Sequence, residues 1–311
     1  MLALISVRDR SGIIRLLFIV GTAVGFLLAV AAFTAIGQVA QILVLPLGLP
    51  DLPFHLRLDS LSAFFLLLLG ATAAGISIFS AGYFRDAEGS APGLLCLQYH
   101  VFLAAMALVL IADDAYVFML AWETMALASY FLVTTDHQLA EVRRAGFLYL
   151  LIAHIGAIAI LLCFGVLQGG SGDYSFGSMR SVILPGAWGS IAFLLALFGF
   201  GAKAGLLPLH IWLPEAHPAA PSPISALMSG VMLKTAIYGL LRVTFDLLNG
   251  HLWWWGVIAL VLGLASALFG IIFATVQTDM ADRSVSAAAG LRGLAEVAAG
   301  RGRLPLCARI R

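Results

Sequence analysis

Residues 199–239 read GFGAKAGLLPLHIWLPEAHPAAPSPISALMSGVMLKTAIYG. Lys203 and Lys234 stand inside long apolar runs, and a cluster of prolines lies between them. An ammonium near the centre of a bilayer costs ~2.5–3.5 kcal/mol on insertion scales, so it is kept there for a reason. Upstream, Glu123 interrupts another apolar run, LAWETMALASYFLV. A buried acid and two buried bases among membrane helices are what a proton path needs.

Composition sets the surroundings of that stretch. Of 311 residues, 62% are hydrophobic and only 11% charged, with mean hydropathy +1.03. A soluble domain is typically about 45–50% apolar and about 25% charged, so the excess is membrane material. The net charge of +1 singles out no partner. Nothing before the last thirty or so residues supports nucleic-acid binding. Cys96, Cys163 and Cys307 lie far apart, without a CxxC or a His-rich companion. Their spacing suggests neither a disulfide framework nor a metal site.

Windows of about 20 residues, the length that crosses ~30 Å of hydrocarbon, predict an all-α, polytopic bundle of eight spans. They fall at 13–34, 60–83, 95–112, 115–134, 145–167, 187–216, 221–245 and 253–276. The sixth is too long for one simple helix and contains Pro208 and Pro214. Proline removes a donor and clashes with the preceding turn, which predicts a discontinuous helix broken near Gly205 and Pro208. Such breaks survive only where the freed backbone faces protein or a wet cavity. The first apolar run is longer than a signal-peptide core and reads as an uncleaved helix. Arg8, Arg10, Arg15, Arg85, Arg143 and Arg144 fall on one side, against Arg57, Arg180 and Arg242 on the other. The bias puts the N-terminus in the cytoplasm. Residues 281–311 are rich in Arg, Ala and Gly and hold no membrane-length run.

Each ionisable residue has a bland reading beside a functional one. Glu123 shares a helical face with Met119, Leu127 and Tyr130, and can pair with a neighbouring helix simply to hold the bundle. Intramembrane acids are functional candidates by default. Lys234, with Leu227, Gly230, Tyr238 and Leu241 on its face, has no easy route to either interface. His154 sits among apolar residues, and both packing and proton relay are open to it. His210 and His217 flank the prolines, where they can cap backbone or serve a relay. Asp113, Asp114, Asp136 and Glu141 fall between spans and read as solvated loop charges, and His100 as interfacial. No phosphate-binding loop, dinucleotide fingerprint or aqueous catalytic set is present.

The runs RLDSLSAFF (57–65), FMLAWETMALASYFLV (118–133), residues 199–239 and IIFATVQTDM (271–280) resemble the antiporter-like, proton-conducting membrane subunits. That family includes the large membrane-arm subunits of NADH:quinone oxidoreductase, Mrp-type cation/proton antiporters and membrane subunits of energy-converting hydrogenases. Within it the likeness is greatest to the hydrogenase-4 component B and formate hydrogenlyase type. The resemblance implies that Glu123 is the family's membrane glutamate and Lys203 the broken-helix lysine that pairs with it. Lys234 is then the central lysine that relays protons onward. It also implies no cofactor in this chain, electron transfer in partner membrane and peripheral subunits, protons or sodium as cargo, and a place in the cell (inner) membrane.

Two departures set further expectations. Members usually begin with one more helix, and they continue after residue 280 into a second inverted repeat of about five helices. Residues 281–311 bear no likeness to that repeat. The expectation is therefore a shortened first-repeat domain over 1–280 with an unlike tail over 281–311, either disordered and solvated or frameshift-derived. Three readings stay open: a proton-translocating subunit of a redox-driven complex, an Mrp-like sodium/proton antiporter subunit, and an inactive structural fragment.

Overall fold

The computed structural model describes residues 10–49, 52–84, 92–250 and 252–276. The stretch 281–311, and with it the expected tail, lies outside the described residues. Among the described residues eight helices are long and apolar enough to cross a membrane: Gly12–Ala35, Ser60–Tyr83, Gly93–Ile111, Ala115–Val133, Ala140–Leu167, Gly186–Ala219, Ser222–Leu247 and Trp253–Phe273. They follow the hydropathy windows closely. The chain is a multi-pass membrane protein.

In chain order the helices are α1 (Arg10–Ala35), α2 (Ser60–Tyr83), α3 (Pro92–Ile111), α4 (Ala115–Val133), α5 (Ala140–Leu167), α6 (Phe176–Ser181) and α7 (Gly186–Ala204). After them come α8 (Trp212–Ala219), α9 (Ser222–Leu227), α10 (Leu233–Leu241) and α11 (Trp253–Val276). Local chemistry starts several of them. Asp59 caps α2 by accepting from the Ser62 N–H at 2.9 Å, and Asp114 caps α4 by accepting from the Val117 N–H at 2.6 Å. Each side-chain oxygen satisfies one of the orphan donors of a first helical turn.

Glycines let the helices approach closely. A Cβ on Gly70 of α2 would lie 2.7 Å from the Gly25 carbonyl of α1, and one on Gly199 of α7 would lie 2.7 Å from the Gly156 carbonyl of α5. Small residues are how membrane helices gain packing when no solvent drives them together. The second crossing fixes α7, which ends in Lys203, against α5.

Among the described residues one element is not helical. Strands β1 (Gln41–Leu49) and β2 (Leu52–Leu58) form an antiparallel hairpin, irregular between Leu45 and Gly48. Pro46 and Pro53 mask it in the sequence, because proline argues against a strand. The hairpin docks on the α3–α4 turn. The His55 N–H donates to Asp114 at 2.8 Å, and the Asp113 N–H donates to the His55 carbonyl at 2.9 Å.

The same end of the bundle holds a dense ion network. Arg242 binds both carboxylate oxygens of Asp59, and also donates to Asp246 at 3.1 Å, Ser62 at 2.8 Å and Tyr238. Arg180 joins Asp246 to Asp113 at 2.9 and 2.6 Å. One sequence expectation is corrected here: Asp113 and Asp114 are not solvated loop charges but are 7% and 4% exposed. Arg242, 3% exposed, is the buried centre of the network. Burial pushes the Asp59 carboxyl upward, yet Arg242, the Ser62 N–H and Arg57 together hold it below the usual range. At Asp114 burial wins over the Val117 and His55 contacts, and its carboxyl is raised.

Candidate proton-transfer site

The sixth span breaks where its sequence predicts. Gly205 ends α7 with φ +76°, in the left-handed region that glycine enters without steric penalty. Its N–H and that of Leu206 both turn back to the Gly201 carbonyl. Beyond it, residues 209–211 form a short tight helix before α8 resumes. Protein groups take up the freed backbone. The Trp212 indole N–H donates to the Ala202 carbonyl at 2.9 Å, and the Leu207 N–H donates to Ser266 of α11 at 3.2 Å. Non-helical backbone at membrane depth is tolerated on those terms.

Lys203 lies in the last turn of α7, only 2% exposed. Its ammonium donates to the phenol oxygen of Tyr149 at 2.6 Å and lies 4.6 Å from the centre of that ring. Tyr149, on α5, is itself buried and hydrogen-bonds Ser129 of α4. It also meets Met232 and packs its ring on Trp212 at 5.0 Å. Tyr149 thus gathers α4, α7, α8 and the segment before α10.

Glu123 sits elsewhere than at the Lys203 ammonium. Its carboxylate faces His154 of α5, with Nε2 and Oε2 3.5 Å apart and side chains 33% and 47% exposed. Among the described residues no ion pair joins Glu123 to Lys203, and the pairing expected from the resemblance is replaced by one between Glu123 and His154. His154 is not isolated among apolar groups. Its Nδ1 lies 3.0 Å from the Leu150 carbonyl, so that nitrogen carries the hydrogen. Nε2 and the carboxylate are then both acceptors unless a proton sits on one of them.

Lys234 lies on α10, just after a wide-turned segment, Met228–Met232. Its ammonium donates to the Ser229 carbonyl at 2.7 Å, five residues back. A π-type turn loosens the regular ladder and is frequent at functional sites, and this lysine meets one of its carbonyls.

Three further histidines differ. His217 is 4% exposed and meets Ser225 at 2.8 Å. His210 lies edge-on to Phe269 with a ring centroid distance of 5.4 Å, its Nδ1 buried without a hydrogen-bond partner among the described residues. His100 is not at an interface but inside the α1–α3 packing, against Phe18 and Tyr99. Among the described residues no group of three metal-ligating side chains converges. Cys96 and Cys163 are free and buried.

Residues 112–283 match the family described as NADH:quinone oxidoreductase/Mrp antiporter, TM. The chain belongs to that family. It is 43% identical over 227 residues to hydrogenase-4 component B of Escherichia coli, covering 72% of this chain and 34% of the relative. It is 32% identical over 266 residues to formate hydrogenlyase subunit 3 of the same species, covering 84% of this chain and 41% of the relative. The chain thus spans about a third to two fifths of the curated relatives it matches. The fold is that of a chain in the Mrp complex from Dietzia sp., with TM-score 0.80 and 21% identity over 94% of this chain and 34% of that one.

The sequence signalled the charged residues but not Tyr149, Ser129 or the Arg242 network. A tyrosine and a serine at membrane depth are too common to stand out, and their partners lie on other helices.

Proposed function

We propose that this chain forms the proton-entry unit of a membrane subunit driven by electron transfer in its partners. The complex would be of the hydrogenase-4, formate hydrogenlyase or NADH:quinone oxidoreductase kind. One observation carries the reading: Lys203, a cation at 2% exposure, hangs on a broken helix and its ammonium is held by a neutral hydroxyl, with no carboxylate on it. A buried ammonium without a direct counter-ion can release its proton more easily than one locked in an ion pair.

Glu123 and His154 supply a group that holds one proton between them, and Lys234 receives it beyond Lys203. His210 and His217 lie along the broken helix as secondary relay groups. No cofactor is assigned to this chain; the electrons pass through other subunits. The Glu123–His154 pair opens sideways between the exposed Leu120 and Leu127 of α4 and Leu151 and Ile155 of α5. Charge on an apolar membrane face is costly, which supports a neighbouring membrane subunit covering it. The bias of the basic residues supports an N-terminus in the cytoplasm of the cell (inner) membrane, with the Arg242 network on the far side.

In the full-length protein within its complex in vesicles, Glu123→Gln or Lys203→Ala is expected to abolish redox-driven proton uptake. Undiminished uptake in both removes these residues from the mechanism. Sodium-dependent dequenching of a pH dye without any electron donor would instead favour cation/proton exchange.

A further inference from the structure

The hydroxyl on Lys203 has a defined polarity. Ser129 donates its only hydrogen to backbone, with Met125 O at 2.7 Å and Ala126 O at 2.9 Å. With that hydrogen spent, the Ser129 oxygen is free to accept from Tyr149, a stronger acceptor than the Met232 sulfur at 3.7 Å, while the phenol turns its lone pairs to the ammonium. The chain runs Lys203 to Tyr149 to Ser129 to a backbone carbonyl of α4. It ends on a group that cannot take a proton onward, so it is a holder and not a wire.

A lysine that alternates between ammonium and amine changes its needs. The ammonium has only hydrogens to give, whereas the neutral amine has a lone pair that wants a donor. A carboxylate serves the first state alone. A phenol serves both, by swinging its O–H from Ser129 to the lysine nitrogen. We infer that Tyr149 is a positioning residue that satisfies Lys203 in both protonation states, with Ser129 the resting place for its hydrogen. The tyrosine itself neither gains nor loses a proton. This inference rests on the proton-transfer reading of Lys203. Among the described residues the ionisable side chain in contact with that lysine is Tyr149 from α5; Glu123 of α4 faces His154 of α5, and α8 contributes the non-ionising Trp212 to the same cluster.

The test uses the full-length protein in its complex, reconstituted in vesicles, with proton uptake followed against pH. Tyr149→Phe keeps the ring against Trp212 and removes only the hydroxyl. Hydrogen bonds to charged groups are among the stronger ones, so uptake near neutral pH is expected to fall about tenfold or more. The pH profile should be displaced, because one partner of Lys203 is lost. Ser129→Ala removes the resting acceptor and should displace the profile without abolishing uptake. A parental rate and profile in Tyr149→Phe, beside complete loss in Lys203→Ala, overturns the inference. If Tyr149→Phe does not assemble, an unchanged profile in Ser129→Ala overturns it. Undiminished uptake in Lys203→Ala sinks the transport reading itself, a different failure.

Discussion

The two places where this protein keeps charge inside its bundle are built in opposite ways. At one end Arg242 shares Asp59, Asp246, Ser62 and Tyr238, and Arg180 carries the network on to Asp113. Near the middle, the Lys203 ammonium is held by a single hydroxyl, Glu123 faces one imidazole, and Lys234 meets a backbone carbonyl. The saturated network joins α2, α6, the α3–α4 turn and the end of the seventh span. Arg242 there gives Nε, Nη1 and Nη2 each to a carboxylate or hydroxyl, an arrangement that suits a fixed charge. In the sparse set the Lys203 ammonium has a hydroxyl on it and, among the described residues, no carboxylate, which suits a group that must change protonation state.

The largest effect that can break this contrast is Arg242→Leu. Removing one partner of a buried ion network strips Asp59 of its bidentate guanidinium and leaves Asp246 with Arg180 alone, at a cost of about 3–5 kcal/mol. Thermal unfolding in detergent should show it, together with poor recovery of the protein. Lys203→Met is the counterpart. An apolar side chain of similar volume in place of a buried charge is often neutral or stabilising, so the fold should persist while uptake is lost. Equal destabilisation by both variants would erase the distinction.

A smaller effect lies in the acid limb of stability. Asp59 is held below its ordinary value by Arg242, so its contribution is fully present above an unfolded carboxyl pKa of about 3.9. That contribution is lost as pH falls through the lowered native value. Asp114 is raised, so the folded state takes up its proton first and acidification towards about pH 3.9 works in the fold's favour there. Asp59→Asn should therefore flatten the loss of stability below about pH 4, and Asp114→Asn should not. Unfolding followed by tryptophan fluorescence from about pH 6 to about pH 3 separates the two.

The smallest effect concerns a charge that belongs to neither region. Arg143 reaches the His137 and Gln138 carbonyls at 2.9 and 2.8 Å in an exposed turn. Arg143→Ala should stay within about 0.5 kcal/mol of the parent, as surface substitutions usually do. The same unfolding measurement checks it.

Much of the bundle was legible because a membrane simplifies the code. Twenty apolar residues must become a helix when no water is present to satisfy the backbone, so the eight windows could be read in advance. The break near Gly205 and Pro208 was legible for a similar reason, since proline and a left-handed glycine leave little choice. The hairpin was not, because Pro46 and Pro53 argue locally against the strands that docking on Asp113 and Asp114 secures.

The chain's own order of residues therefore determined the spans, their discontinuity and which charges stand at membrane depth. It left open whom each charge would meet. Asp114 looked like a loop acid and proved a buried cap; Glu123 seemed matched to Lys203 and instead faces His154; Tyr149 gave no signal at all. Those outcomes depend on how α4, α5, α7 and α10 cross, set by close contacts such as Gly156 on Gly199. Hydropathy is a property of each segment alone, whereas a hydrogen bond between helices exists only once both have been placed.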